Sequence, residues 1–200
     1  KHKFISSIQH IKGWIVLFNI FHPFSMITNI IIMNNGIVCY PFLFHYTNNP
    51  NRVTELADYV IRHHHPDIEN ESDRYQIFFR RVLHKTALLI AKWQASGFVH
   101  GVMNTDNMCV TGVTFDYGPY GWLEGYDPNW TPNITDAVGH RYCFGKQPEI
   151  ALWNLARLGS AIYPLIEDIK PLNQALDLYS KNFEHGWQSM MGQKLGLNSF

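Results

Sequence analysis

From Asn51 onward, apolar residues recur at helical intervals. Val53, Leu56, Ala57, Val60 and Ile61 share one face, with Asn51 placed to cap the start and Pro66 to stop the run. A second helix is predicted from about Asp73 to Ser96. Tyr75, Phe78, Val82, Leu89 and Trp93 form its stripe, while Arg80, Arg81, Lys85 and Lys92 lie mostly off it; Ser72 is the expected cap and Gly97 the expected end. Pro148 opens a third helix at a position that tolerates a missing N–H, and Ile150, Ala151, Leu152, Trp153, Leu155, Ala156, Leu158, Ala161 and Ile162 make it apolar almost all round, as in a buried helix. A last helix is predicted from about Pro171 to Met191 on the stripe Leu172, Leu176, Tyr179 and Phe183.

Between the second and third helices both periods vanish. His100 to Asn107 reads as a loop. Met108–Val110 and Val113–Phe115 are short apolar pieces joined by Thr111-Gly112, which predicts a tight hairpin. Residues 117–147 are rich in Gly, Pro, Asp and Asn, but their aromatics (Tyr117, Tyr120, Trp122, Tyr126, Trp130, Tyr142 and Phe144 among them) argue for an ordered, functional loop. The first 45 residues differ again: rich in Ile, Asn, Phe and Met, with apolar runs broken by Lys12, Asn19, His22 and Pro23. No run reaches the roughly 18 clean apolar residues of a membrane span, and no clean signal-peptide cleavage site follows Lys1-His2-Lys3.

Composition narrows the class. Of 200 residues, 46% are hydrophobic and 16% charged, which suits one packed domain or part of one. A formal net charge of zero argues against a nucleic-acid binder. Cys39, Cys109 and Cys143 have neither metal-site spacing nor an even count, which favours a reducing compartment. Sequons at Asn70, Asn129 and Asn133 are read as chance matches.

The chemistry concentrates in residues 100–119. The order of long amphipathic helix, polar loop, short hairpin, Asp-Tyr-Gly, long loop and buried helix is that of a protein-kinase C-terminal lobe. There, H-R-D-x-x-x-x-N supplies a base and a metal ligand, and D-F-G supplies a second ligand. His100 and Asn107 have the His-to-Asn spacing of that loop, and Asp116-Tyr117-Gly118 stands in the place of D-F-G. A polyphosphate with Mg²⁺ demands hard oxygen ligands, which an Asn carbonyl and an Asp carboxylate provide. The hairpin is expected to bring Asn107 and Asp116 to one ion. The position of the kinase base holds Val102; an acid stands instead at Asp106.

With that shift, the stretch Gly97-Phe98-Val99-His100-Gly101-Val102-Met103-Asn104-Thr105-Asp106-Asn107-Met108 resembles the selenoprotein O (SelO) family. So do Asp116-Tyr117-Gly118-Pro119, Tyr126-Asp127-Pro128, Arg141-Tyr142, Gln147-Pro148, Ala151-Leu152-Trp153-Asn154-Leu155-Ala156-Arg157-Leu158, Leu56-Ala57-Asp58-Tyr59-Val60-Ile61 and Lys194-Leu195-Gly196-Leu197. The resemblance covers about residues 42–200 and implies a mainly α, α+β chain: a partial kinase-like C-terminal lobe with a short β-hairpin at the metal site. It implies a protein adenylyltransferase that moves AMP from ATP onto hydroxyl side chains, with Mg²⁺ (or Mn²⁺) as cofactor, ATP and hydroxyl-bearing proteins as partners, and no nucleic acid or membrane. Carried over residue by residue, Asp106 is the catalytic base, Asn107 and Asp116 hold the metal, and both lie at the nucleotide phosphates. Relatives in eukaryotes place such a protein in mitochondria, and otherwise in the cytoplasm. Residues 1–41 resemble nothing in the family: they lack Arg and a glycine-rich loop. They are expected to be a gene-model artefact, and the chain alone is expected to bind ATP poorly. The alternatives are a conventional phosphotransferase and an inactive pseudokinase-type binding module; Val102 argues against the first, and the retained Asp106, Asn107 and Asp116 against the second.

Plainer roles are expected elsewhere. His100 fixes backbone; His63, His64 and His65 are a helix end and not a metal cluster; Asp127 forms a turn. Cys109, Trp93 and Trp153 pack in the core, and Arg141 either contacts phosphate or substrate or makes a structural salt bridge.

Overall fold

The computed structural model describes residues 50–197. The first forty-one residues lie outside them. Four helices carry the fold: α1 (Pro50–His64), α2 (Arg74–Ser96), α3 (Gln147–Ile166) and α4 (Ile169–Leu195). Two short strands, β1 (Phe98–Val99) and β2 (Gly121–Trp122), pair antiparallel with Phe98 opposite Trp122. The architecture is mainly α, as expected.

The core follows the apolar stripes. Val60, Ile61, Phe78, Phe79, Val82, Ile90, Leu152, Leu155, Ile162, Leu172, Leu176 and Tyr179 are buried, so all four helices contribute to one interior. α4 comes hard against α2 because Gly186 has no side chain: a Cβ there would stand 2.9 Å from Leu88 Cδ2 and 3.4 Å from Ala91 Cβ. Tyr179 is buried on α4, and its hydroxyl donates to the Pro148 carbonyl at 3.0 Å, tying α4 to the start of α3.

The boundaries show where local signals were overridden. α1 begins at Pro50, so Asn51 lies in its first turn and is not the cap. Asp73, not Ser72, occupies the cap position of α2 and makes no side-chain capping bond. Gly97 ends α2 at φ +71°, the left-handed conformation for which glycine has no steric cost. α4 starts two residues before Pro171 because the Asp168 carboxylate accepts from the Lys170 N–H at 2.9 Å.

The hairpin expected across residues 108–115 is corrected. A turn exists, with the Gly112 N–H donating to the Cys109 carbonyl at 3.1 Å, but the flanking pieces form no ladder. Contacts with α2 and with His100 hold the second piece elsewhere. Trp93 Nε1 donates to Thr114 Oγ1 at 3.0 Å, and the Phe115 carbonyl is taken by His100. The sheet forms instead between the chain leaving α2 and the chain beyond Asp116. The long 117–147 loop is ordered as expected: Gln94 Nε2 donates to the Phe144 carbonyl at 2.8 Å, and Asp127 makes the expected turn by accepting from the Asn129 N–H at 2.9 Å.

Candidate active site

The loop from Phe98 to Asn107 has little backbone pairing of its own, and side-chain carboxamides take its place. Gln147, fully buried at the start of α3, donates from Nε2 to the Phe98 carbonyl at 2.9 Å and accepts the His100 N–H on Oε1 at 2.9 Å. Asn133 donates to the Gly101 carbonyl at 3.0 Å, Asn107 to the Val102 carbonyl at 2.9 Å, and Asn154 to the Met103 carbonyl at 3.0 Å. Three successive carbonyls are therefore held by three amides from different parts of the chain. Amides satisfy these groups without burying charge. Gly101 passes so close to the following loop, at φ +84°, that a Cβ would fall 2.3 Å from the Pro119 carbonyl oxygen.

His100 ties this loop to the second half of the site. It is fully buried, and its Nε2 lies 2.8 Å from the Phe115 carbonyl. A carbonyl only accepts, so Nε2 carries the hydrogen, leaving Nδ1 to accept from the Val102 N–H at 3.4 Å. Burial holds the imidazole below its ordinary pKa, opposed by the bond to Phe115 and by the nearby Asp116 carboxylate. His100 is thus a neutral clamp, as expected. Together with Trp93, whose ring lies tilted against it with centroids 5.3 Å apart and which bonds Thr114, it fixes the residues that deliver Asp116.

Asp106 and Asn107 lie in a 3-10 turn, Thr105–Asn107, closed by the Asn107 N–H on the Asn104 carbonyl at 3.0 Å. Both side chains are partly exposed. The Asn107 amide nitrogen faces Val102, so its Oδ1 faces away as an acceptor. Asp116 is exposed and adopts φ +45°, a conformation that Asp tolerates better than most residues. No hydrogen bond or ion pair joins these three side chains to one another; what they share is the scaffold of His100 and its clasped loop. The donor set of Asn107 Oδ1 and the Asp116 carboxylate is all-oxygen and fits a hard divalent cation. Among the described residues there is no cluster of three or more His, Cys, Asp or Glu placed to hold a metal.

Two surroundings were not read from the sequence. Beside Asp116, Tyr117, Tyr120, Trp122 and Phe98 make a chain of ring contacts with centroids 5.0 to 6.0 Å apart, lining an open groove of about 440 Å³. On the other flank, the Tyr142 hydroxyl donates to Asn104 Oδ1, and the guanidinium groups of Arg141 and Arg157 lie over the Trp153 ring at 4.9 and 5.2 Å. Trp153 is half-buried and carries two cation–ring contacts, so it is not simply core. Cys109 packs as expected: it is buried, with Sγ 3.0 Å from Thr111 Oγ1. The sequon at Asn133 is used internally, since this nearly buried residue holds Gly101 and caps its own turn.

Comparison with known proteins shows the family. The family model described as protein adenylyltransferase SelO matches residues 42–200. The chain is 50% identical over 153 residues to the protein nucleotidyltransferase YdiU of Nitrosospira multiformis, covering 75% of this chain and 27% of that protein. It is 49% identical over 151 residues to the YdiU protein of Flavobacterium johnsoniae, covering 75% and 29%, and 43% identical over 160 residues to that of Methylobacillus flagellatus, covering 79% and 31%. The chain therefore spans under a third of the length of these relatives. All three are bacterial and lend the mitochondrial expectation no support. Among the described residues no helix is long and apolar enough to cross a membrane. The extent of the family match and the level of identity agree: this chain belongs to the SelO protein adenylyltransferase family.

Proposed function

We propose that the protein at family length transfers AMP from ATP to hydroxyl side chains of other proteins, and that residues 100–119 supply the base and metal-binding part of the site on a kinase-like C-terminal lobe. The observation that carries this reading is the clasped loop: it presents an accessible Asp106 next to Asn107, whose oxygen faces away from the scaffold, with Asp116 clamped nearby through His100. Asp106 accepts the proton of the attacking hydroxyl. The hydroxyl oxygen forms its bond to the α-phosphorus as the bond to the bridging oxygen breaks, and pyrophosphate leaves. Asn107 and Asp116 would hold Mg²⁺ or Mn²⁺, which when bound neutralises phosphate charge. The clasp keeps these groups in register without moving during the reaction.

A phosphotransferase reading fits less well, because Val102 stands where a kinase carries its base. A pseudokinase reading has to explain why Asp106 is kept accessible. The test uses the intact protein with Asp106→Asn. Transfer of AMP to an acceptor, read by intact mass, should fall at least about 100-fold while Mn²⁺–ATP binding persists. Undiminished transfer would remove Asp106 from its role.

A further inference from the structure

Four of the described arginines face carboxylates: Arg62, Arg74, Arg80 and Arg81, on Glu69, Asp58, Asp73 and Asp67 respectively, at 2.5 to 3.9 Å. Arg141 does not. It is exposed, yet its guanidinium lies 4.9 Å over the Trp153 ring and 5.6 Å over that of Tyr142. Asp136 holds the backbone instead: its two carboxylate oxygens accept the N–H groups of Arg141 and Tyr142 at 2.8 and 2.7 Å. The backbone of Arg141 is thereby fixed by a buried carboxylate and its guanidinium lies over ring faces, while the residue stays exposed. Position adds the second half of the argument. The Tyr142 hydroxyl bonds Asn104, which stands at the start of the turn carrying Asp106. Arg141 therefore stands on the Asn104 flank of that turn, whereas the metal-binding pair belongs to the Asn107 and Asp116 flank.

We infer that Arg141 is a specificity-determining residue for the acceptor, recognising a carboxylate close to the accepting hydroxyl on the protein substrate. The inference rests on the adenylyl-transfer reading for the identity of the acceptor, but not for the binding itself. A planar guanidinium held on an aromatic face loses little freedom when a carboxylate engages it, and it matches that group with two parallel hydrogen bonds. A lysine at the same place keeps the charge but neither the stacking nor the paired geometry.

The test has two arms on the full chain. In the first, fluorescence anisotropy measures binding of labelled peptides with a central Ser, Thr or Tyr flanked by Asp or by Asn. The Asp peptides should bind the chain more tightly, and Arg141→Ala should weaken them about five-fold, with partial rescue by Arg141→Lys. Arg62→Ala, which removes an exposed paired arginine on α1, should change nothing. Equal binding of Asp and Asn peptides, or an undiminished Arg141→Ala, would overturn the proposal whatever the reaction proves to be. In the second arm, the intact protein is assayed for AMP transfer. Arg141→Glu should reverse the preference from Asp- to Lys-flanked peptides and leave the KM for ATP unchanged. A raised ATP KM with unchanged peptide preference would assign Arg141 to the nucleotide phosphates and overturn it. Success of the first arm with no AMP transfer by the wild type would sink the adenylyl reading alone.

Discussion

Gln147 offers the sharpest test of how the loop is held. It is fully buried and satisfies two backbone groups at once, the Phe98 carbonyl and the His100 N–H, each at 2.9 Å. Gln147→Ala strands both groups away from water. Each buried orphan costs about 1–3 kcal/mol, so the variant should lose about 3–5 kcal/mol, a large share of an ordinary domain stability of roughly 5–15 kcal/mol. Urea unfolding followed by tryptophan fluorescence gives the number, with an unchanged m-value confirming that the native state is intact. Gln147→Leu fills the space without the bonds and should recover only the packing part. Gln147→Glu is the finer probe. Ionised, it accepts from His100 but cannot donate to Phe98, and it buries a charge; protonated, it does both. Its folded pKa is therefore raised above the unfolded value, so its stability relative to wild type is greatest below about pH 4.3 and is lost as pH rises through the folded pKa. A loss under about 1 kcal/mol for Gln147→Ala, or a Gln147→Glu deficit that is the same at pH 4 and pH 7.5, would refute the clasp as the loop's anchor.

Three further outcomes follow from the same geometry. Gly101→Ala puts a Cβ 2.3 Å from a backbone oxygen at φ +84°; it should cost at least about 3 kcal/mol in urea unfolding, and a cost below about 1 kcal/mol would mean the loop approach is wrong. Asp116→Asn keeps a side chain that tolerates φ +45° but removes the charge, so the fold should persist while AMP transfer falls at least about 100-fold; full activity would remove Asp116 from the metal site. His65 is lowered to about 4, chiefly by burial and then by the positive charges of Lys85 and Arg81. Its unfolded form binds the proton first, so its contribution is present above about pH 6.5 and lost as pH falls toward 4. After solvent screening this amounts to roughly 1–2 kcal/mol, and His65→Gln should flatten the stability profile across that window.

Much of the scaffold was legible because helices announce themselves through a short period. The stripes of α2 and α4 predicted their buried faces, and Gly97 marked a stop that its left-handed geometry requires. The candidate site was legible only as residue types at a spacing, from His100 through Asn107 to Asp116. What joins them was not legible, because each bond spans a long sequence distance: Asn154 reaches Met103, Gln147 reaches Phe98, and Asn133 reaches Gly101. A signal existed in Gln147 and Asn154, carboxamides within a helix apolar on nearly every side. A polar residue buried there must have a partner, but periodicity does not say which. The hairpin failed for the same reason. Thr111-Gly112 does turn, yet the arms are short, Val113 is 44% exposed, and Trp93 and His100 hold Thr114 and Phe115.

The reaction itself is tested most directly by labelling ATP at one phosphate at a time. The intact protein, given an acceptor protein, should transfer label from the α-phosphate and none from the γ-phosphate, with pyrophosphate released in equal amount. Label arriving from the γ-phosphate alone would make the protein a phosphotransferase and contradict the assignment of Asp106, Asn107 and Asp116 to adenylyl transfer.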